Sequence, residues 1–266
     1  MAWDKQDKRP VNASKCIGEC KNYAENKTIS LDDLGTFFTA SGKNYFSYRY
    51  IVTTTNKWTD NASAACNNQN PPVSIINLYH LENSVIDWSK YHENIEPVVR
   101  EKKKLRAHQD EAKKRVIAGL QNAERGKLIM ACGTGKTFTA LRLAEEIAGS
   151  GKRVLFLVPS LSLLGQTLTE WTQDSLIPLN SFPVCSDSEV GKKKDDDDRV
   201  VTGTSDLQFP ATTKASSLCN ELANSEKAHP NSMTVVFSTY HSIDVINQAQ
   251  NSEGNPLGEF DLIICD

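Results

Sequence analysis

Apolar residues recur along this chain with two alternating periods. Continuous or every-second apolar runs mark strands, and spacings of three and four mark helices. On that basis strands are predicted at 16–21, 48–55, 73–78, 128–130, 153–158, 182–185, 234–237 and 260–266, with a strand-like start at Val200. Helices are predicted between them. One begins at Ser30, shows Leu31, Leu34, Phe37 and Phe38 on one face, and stops at Ser41-Gly42. Asp33, three residues after Ser30, gives this start the look of a capping box. Others cover 61–68, 105–120, 139–149, 161–171 and 212–222, and one opens at Ser242. From residue 106 onward the alternation of strand and helix implies right-handed crossovers and a doubly wound parallel sheet. The first 90 residues form a smaller α/β pattern. Residues 91–105, with Lys102, Lys103 and Lys104 in sequence, read as a solvated, helical, charged linker.

Composition narrows the class without choosing a function. The 266 residues suffice for one large or two modest domains, and the formal net charge is −3. Any nucleic-acid contact must therefore come from local patches. No apolar run is long enough to span a membrane, and no membrane partner is expected. The seven cysteines are scattered and odd in number, so they read as reduced thiols of a cytoplasmic protein. Lys192–Lys194 lie beside Asp195–Asp198 and neutralise them, which suggests a surface loop.

Residues 126–139, GKLIMACGTGKTFT, carry the most specific chemistry. An apolar strand runs into Ala131-Cys132-Gly133-Thr134-Gly135-Lys136-Thr137, and a helix follows. This is a phosphate-binding loop in the context it needs. Glycines at 133 and 135 allow close backbone approach to a phosphate, and successive N–H groups face the anion. Lys136 can reach the β- and γ-phosphates of ATP, and the Thr137 hydroxyl can ligate Mg²⁺. Phe260 to Asp266 is an apolar strand ending in an aspartate, which reads as the second half of the same Mg²⁺ site. Gly is replaced by Met130 at the start of the strict motif, and ACGTGKT in that form resembles superfamily-2 helicases and translocases. That resemblance implies an adenine contact from Gln109 with support from Arg106, both in Arg106-Ala107-His108-Gln109. It also implies DNA-backbone contacts from Ser160 and Gln166, and from the Ser238-Thr239-Tyr240 turn.

A second motif lies near the start. Glu19 and Lys21 are two apart on a strand and so share a face. Alone they read as a solvent-facing ion pair. A carboxylate there could instead hold a divalent metal, with the lysine acting on water or phosphate. The surrounding text, Glu19-Cys20-Lys21-Asn22-Tyr23, then Phe37–Gly42 and Ile51–Thr55, resembles the Mrr-type nuclease domain of type ISP restriction–modification enzymes. Val85–Ser89 resembles the end of that domain. Many relatives carry Gln where this chain has Glu19. The family's first aspartate should precede this motif by some fifteen residues. It is expected before Met1, because Met1-Ala2-Trp3 resembles the continuation of its strand and Asp4 and Asp7 are weak substitutes.

The resemblance implies a restriction-endonuclease-like domain over 1–90, the linker 91–105, and the first RecA-like domain of a DNA motor over 106–266, both domains truncated. Its implied cofactors are ATP and Mg²⁺. Its implied partners are double-stranded DNA and downstream parts of the same polypeptide: a second RecA-like domain, a methyltransferase and a target-recognition region. A fragment ending at Asp266 is expected to bind ATP weakly and to be catalytically incomplete. Two other readings remain open from the residues: a helicase whose first domain only docks or binds DNA, and a P-loop ATPase that does not act on DNA.

Overall fold

The computed structural model describes residues 16–42, 46, 48–67, 69–185, 204–207, 209–254 and 256–266. Asp4, Asp7, the 191–199 loop and the strand-like start at Val200 lie outside them. The chain divides into two compact units, Met1–Leu81 with Asp196–Pro210 and Glu82–Asp195 with Ala211–Asp266. No helix among the described residues is long and apolar enough to cross a membrane, and all seven cysteines are free.

The first unit holds a parallel sheet of β1 (Cys16–Lys21), β2 (Tyr48–Thr53) and β3 (Val73–Ile76), in that order. Its helices are α1 (Gly35–Ser41), α2 (Asp60–Cys66) and α3 (Leu78–Glu82). Register places Glu19 beside Ile51 and Lys21 beside Thr53, so all four share one face. That face is the packed one: Ile51, Val73 and Ile75 bury against Ile29, Leu34, Phe37, Ala62 and Cys66. The start of α1 is built by Asp33, whose carboxylate accepts from the Ser30 N–H (2.8 Å) and the Ser30 hydroxyl (2.7 Å). These donors, the backbone one first, hold Asp33 down at about 2. The strand predicted to reach Leu78 stops at Ile76. His80 Nδ1 accepts the Asn77 N–H, and the Asn77 side chain accepts the His80 N–H. This reciprocal pair turns the chain into α3.

The second unit contains α4 (Ala107–Leu120), α5 (Lys136–Ile147), α6 (Leu161–Asp174), α7 (Ala215–Ala228) and α8 (Ile243–Gln250). Its four strands are β4 (Arg153–Val158), β5 (Leu179–Val184), β6 (Met233–Thr239) and β7 (Leu262–Cys265). All pair in parallel, in the order β5-β6-β4-β7. Leu155, Leu157 and Val236 pack one face against Leu218 and Leu222 of α7 and Ile246 of α8. On the other face Phe156, Phe237 and Trp171 of α6 form edge-on and tilted aromatic contacts. Both faces are covered, which is why β4 is almost wholly apolar and β6 is buried along its full length. Pro183 sits in β5, an edge strand, where its missing N–H costs least.

Two sequence expectations are corrected here. Residues 128–130 form no strand, because no described strand pairs with them, and Ile129 is 84% exposed. The basic stretch 101–106 is neither helical nor merely solvated. Lys102 donates to the Gln173 carbonyl, and Lys103 pairs with Asp174 at 2.7 Å. The buried Arg142 guanidinium donates to the carbonyls of both Lys103 and Asp174, at 3.0 Å each. The stretch is thus an extended strap bound to the end of α6.

Candidate functional site

The loop before α5 is shaped by two left-handed glycines, Gly133 (φ 75°) and Gly135 (φ 82°). Only glycine takes that conformation at no steric cost. Gly135 is also the residue from which α5 starts, so the loop delivers its backbone directly to a helix N-terminus. The positive end of the helix and its unpaired N–H groups suit an anion there. Thr134 closes the turn by donating its hydroxyl to the Ala131 carbonyl at 2.6 Å. Space above Gly133 is open.

Gln109 fixes this loop from the side. It is buried, its Oε1 accepts the Arg106 N–H at 2.8 Å, and its Nε2 donates to the Thr134 carbonyl at 2.9 Å. The first bond is half of a capping box for α4. His108 Nε2 lies 3.2 Å from the same carbonyl. The amide expected to read a base thus spends one acceptor and one donor within the protein and keeps one of each. Sequence reading missed His108 as a loop support.

Beside the loop is a cavity of about 390 Å³, lined by Lys103, Lys104, Arg106, Gln109, Gly133, Thr134, Gly135, Phe138 and Glu170. Its size falls within the range of small-molecule sites. Arg106 and Gln109, both named from the sequence, do meet the Gly133–Gly135 loop here. Lys103 and Lys104 belong to the charged run read as a linker, and Phe138 and Glu170 carry no motif signal. Ala131 and Cys132 are exposed at the entry to the loop, and Lys136 and Thr137 are half-buried in the first turn of α5. The Thr137 carbonyl accepts the Trp171 Nε1–H at 3.1 Å, which anchors that turn to α6.

The carboxyl ends of the parallel strands gather the remaining residues. Val158 pairs with Thr239, and Leu157 with Cys265. Ser160, Tyr240 and Asp266 thus follow adjacent strand ends, where open α/β sheets place their ligands. Tyr240 donates its hydroxyl to the Asp266 carbonyl at 3.0 Å, and the Asp266 N–H reaches the Leu157 carbonyl at 2.9 Å. Thr137 and Asp266 offer a hydroxyl and a carboxylate, hard oxygen donors of the type Mg²⁺ selects. Ser160 is exposed and caps α6 by accepting the Leu163 N–H at 3.2 Å; Gln166 is exposed on the same helix. Ser238 and Thr239 are corrected as DNA contacts, because both are fully buried. Their hydroxyls bond the Thr239 carbonyl and the Ser242 hydroxyl. Of that turn, Tyr240 reaches the surface.

In the first unit, Lys21 Nζ lies 3.0 Å from Glu19 Oε1, and the lysine side chain is only 8% exposed. The pair is not the solvent-facing one that composition alone suggests. Glu19 Oε2 is buried and has no hydrogen-bond partner among the described residues. An orphaned carboxylate oxygen of this kind fits one bond of a divalent metal. No group of three His, Cys, Asp or Glu side chains that could complete a metal set occurs among the described residues.

Family comparison bears on both units. Residues 11–97 match the family model described as restriction endonuclease, and residues 102–266 match the one described as type III restriction enzyme, res subunit. The chain belongs to the type III restriction enzyme res-subunit family. An N-terminal restriction-endonuclease domain precedes that region. Among solved structures, the chain is similar to the ATP-dependent Type ISP restriction-modification enzyme LlaBIII bound to DNA, at 34% identity. The TM-score is 0.74, and the match covers 92% of this chain and 16% of LlaBIII. It is also similar to a nuclease-deletion mutant of the Type ISP enzyme LlaGI in complex with a DNA substrate mimic, at 40% identity and a TM-score of 0.50. That match covers 62% of this chain and 15% of LlaGI. The chain spans less than a fifth of the length of these relatives. No curated protein matches it.

Proposed function

We propose that the chain is the nuclease and first motor portion of a restriction enzyme in which ATP drives movement along DNA. The observation that carries this is the Gly133–Thr137 loop. It opens onto a cavity, in a res-subunit region that follows a restriction-endonuclease domain. The boundaries we carry forward are 1–90 for the nuclease, 91–105 for the connection and 106–266 for the motor domain.

In this reading the backbone N–H groups of the loop hold the nucleotide's phosphates, and Lys136 balances their charge. Gln109 acts by holding Thr134 in place, and Arg106 lines the same cavity. Thr137 and Asp266 would hold Mg²⁺, which supplies charge neutralisation between the phosphates. In the nuclease domain the free Glu19 oxygen would be one ligand of a second Mg²⁺, with Lys21 keeping the carboxylate oriented. DNA would contact Ser160, Gln166 and Tyr240 through its phosphates. Binding of that kind has little sequence preference and weakens steeply with salt. The proposal for the whole protein includes a second RecA-like domain, a methyltransferase and a target-recognition region.

Duplex DNA binding across a salt series tests this reading. A linear fall of log affinity with log salt is expected, with binding weakened at every salt concentration when Gln166 and Tyr240 are replaced by alanine. Binding that is absent, or indifferent to salt, contradicts the DNA assignment.

A further inference from the structure

Thr204–Leu207 stand in the sequence between β5 and α7, which both belong to the second unit. In the fold they belong to the first. Thr204–Asp206 form a single 3-10 turn, and the Leu207 N–H donates back to the Thr204 carbonyl at 3.3 Å. That turn lies against β3, an outer strand of the first sheet. An outer strand ordinarily leaves one edge exposed, yet Val73, Ser74 and Ile75 are all buried. Three side chains make the attachment. Leu207 is 1% exposed. The buried Ser205 hydroxyl donates to Asn67 Oδ1, just after α2, at 2.8 Å. Asp206 is buried close to Cys66, the last residue of α2. Burial first, and then this carboxylate, push the Cys66 thiol up to about 12.

The chain is pinned again as it re-enters the second unit. The Thr212 N–H donates to the Pro183 carbonyl at 3.1 Å, and Thr212 bridges to Val184 at the end of β5. Val184 pairs with Ser238 of β6, two residues before Tyr240, whose hydroxyl donates to the Asp266 carbonyl. Only residues 208–211 separate Leu207 from Thr212, and Pro210 among them has its φ fixed. So short a chain, with one dihedral fixed, absorbs little displacement of either end.

We infer that Thr204–Leu207 are a coupling clip: a piece of the motor region's own chain that docks on the nuclease sheet and makes β3 respond to the nucleotide end of the motor domain. Tyr240 links Asp266 to the end of β6, β5 pairs beside it, and Thr212 carries a shift there to the clip. The inference rests on the nucleotide-binding reading above.

The test is amide exchange of the whole chain with and without saturating Mg²⁺ ATP, with ATP affinity measured by calorimetry on the same samples. In the unaltered chain the nucleotide should change exchange at residues 73–76 by about fivefold or more, the lower end of the usual coupling between sites. A flexible Gly/Ser insertion after Pro210 slackens the tether and touches neither the clip nor the Thr212 bond. The change at 73–76 should then vanish, with ATP affinity unaltered. Leu207→Ala, without nucleotide, should speed exchange at 73–76 by roughly tenfold or more and leave 153–158 as it was. Exchange at 73–76 that is indifferent to Leu207→Ala overturns the docking. ATP that binds without altering 73–76, or an alteration that persists in full after the insertion, overturns the coupling. If calorimetry detects no ATP binding, the nucleotide-binding reading fails and the coupling with it, while the Leu207→Ala arm still decides the docking.

Discussion

The side-chain amide of Gln109 occupies the place that a Cβ on Gly135 would need: an atom built there collides with Gln109 Nε2. The left-handed glycine and the buried amide are thus one device. The glycine gives the loop its turn, and the amide locks it through the Thr134 carbonyl.

Gly135→Ala consequently meets two penalties. The φ of 82° is strained for an L side chain by roughly 1–2 kcal/mol, and the new methyl displaces Gln109. Chemical denaturation should show a loss of that order or more, with nucleotide affinity falling at the same time. Gln109→Ala should weaken nucleotide binding with a smaller effect on stability, since it leaves Gly135 unstrained.

Arg142 is the keystone of the strap. Its guanidinium pairs with Glu145 at 2.6 Å, donates to the carbonyls of Lys103 and Asp174, and lies 4.6 Å from the centre of the Phe138 ring. Arg142→Ala should cost roughly 3–5 kcal/mol, the scale for removing one partner of a buried pair. Arg142→Lys should recover little, because a lysine cannot reproduce the planar fork. Lys103→Ala should cost less, roughly 1–3 kcal/mol, because it leaves the Asp174 carboxylate, only 3% exposed, without its cation. Urea unfolding of the three variants separates these outcomes.

The first unit should lose stability in mild acid. Burial depresses His80 to about 4, from an ordinary value near 6.5. Below pH 6.5 the unfolded chain takes up a proton that the folded chain refuses. Stability is therefore fully present above that pH, and is lost as pH falls toward 4. The separation corresponds to roughly 3 kcal/mol. Urea midpoints at pH 7 and pH 5 should differ measurably, and the difference should shrink in His80→Gln.

Lys21→Met tests the partly buried pair in β1. It leaves Glu19 with neither oxygen partnered, and should destabilise the first unit by roughly 1–3 kcal/mol. Hydrogen exchange over residues 16–53 reads that loss locally. Unchanged protection there contradicts the pairing.

These cases show what could be read from the sequence and what could not. The turn at Gly133–Gly135 was legible because it is local: two glycines before a helix start specify its left-handed dihedrals. The doubly wound sheet was legible because apolar runs such as Arg153–Val158 admit few other placements. The strap was not legible, because its role arises only when Lys102 and Lys103 meet the end of α6. The resemblance to superfamily-2 motors implies an outward role for Ser238 and Thr239, but β6 is buried along its full length. Leu128–Met130 has strand composition, yet a strand needs a ladder, and no described strand offers one.

The most direct test of the central claim is Mg²⁺-dependent ATP binding by this chain, measured with and without Lys136→Ala. The account predicts saturable binding that requires the metal and is lost in the variant. Binding that survives Lys136→Ala unchanged, or no binding at millimolar ATP, contradicts the assignment of Gly133–Thr137 as the nucleotide site.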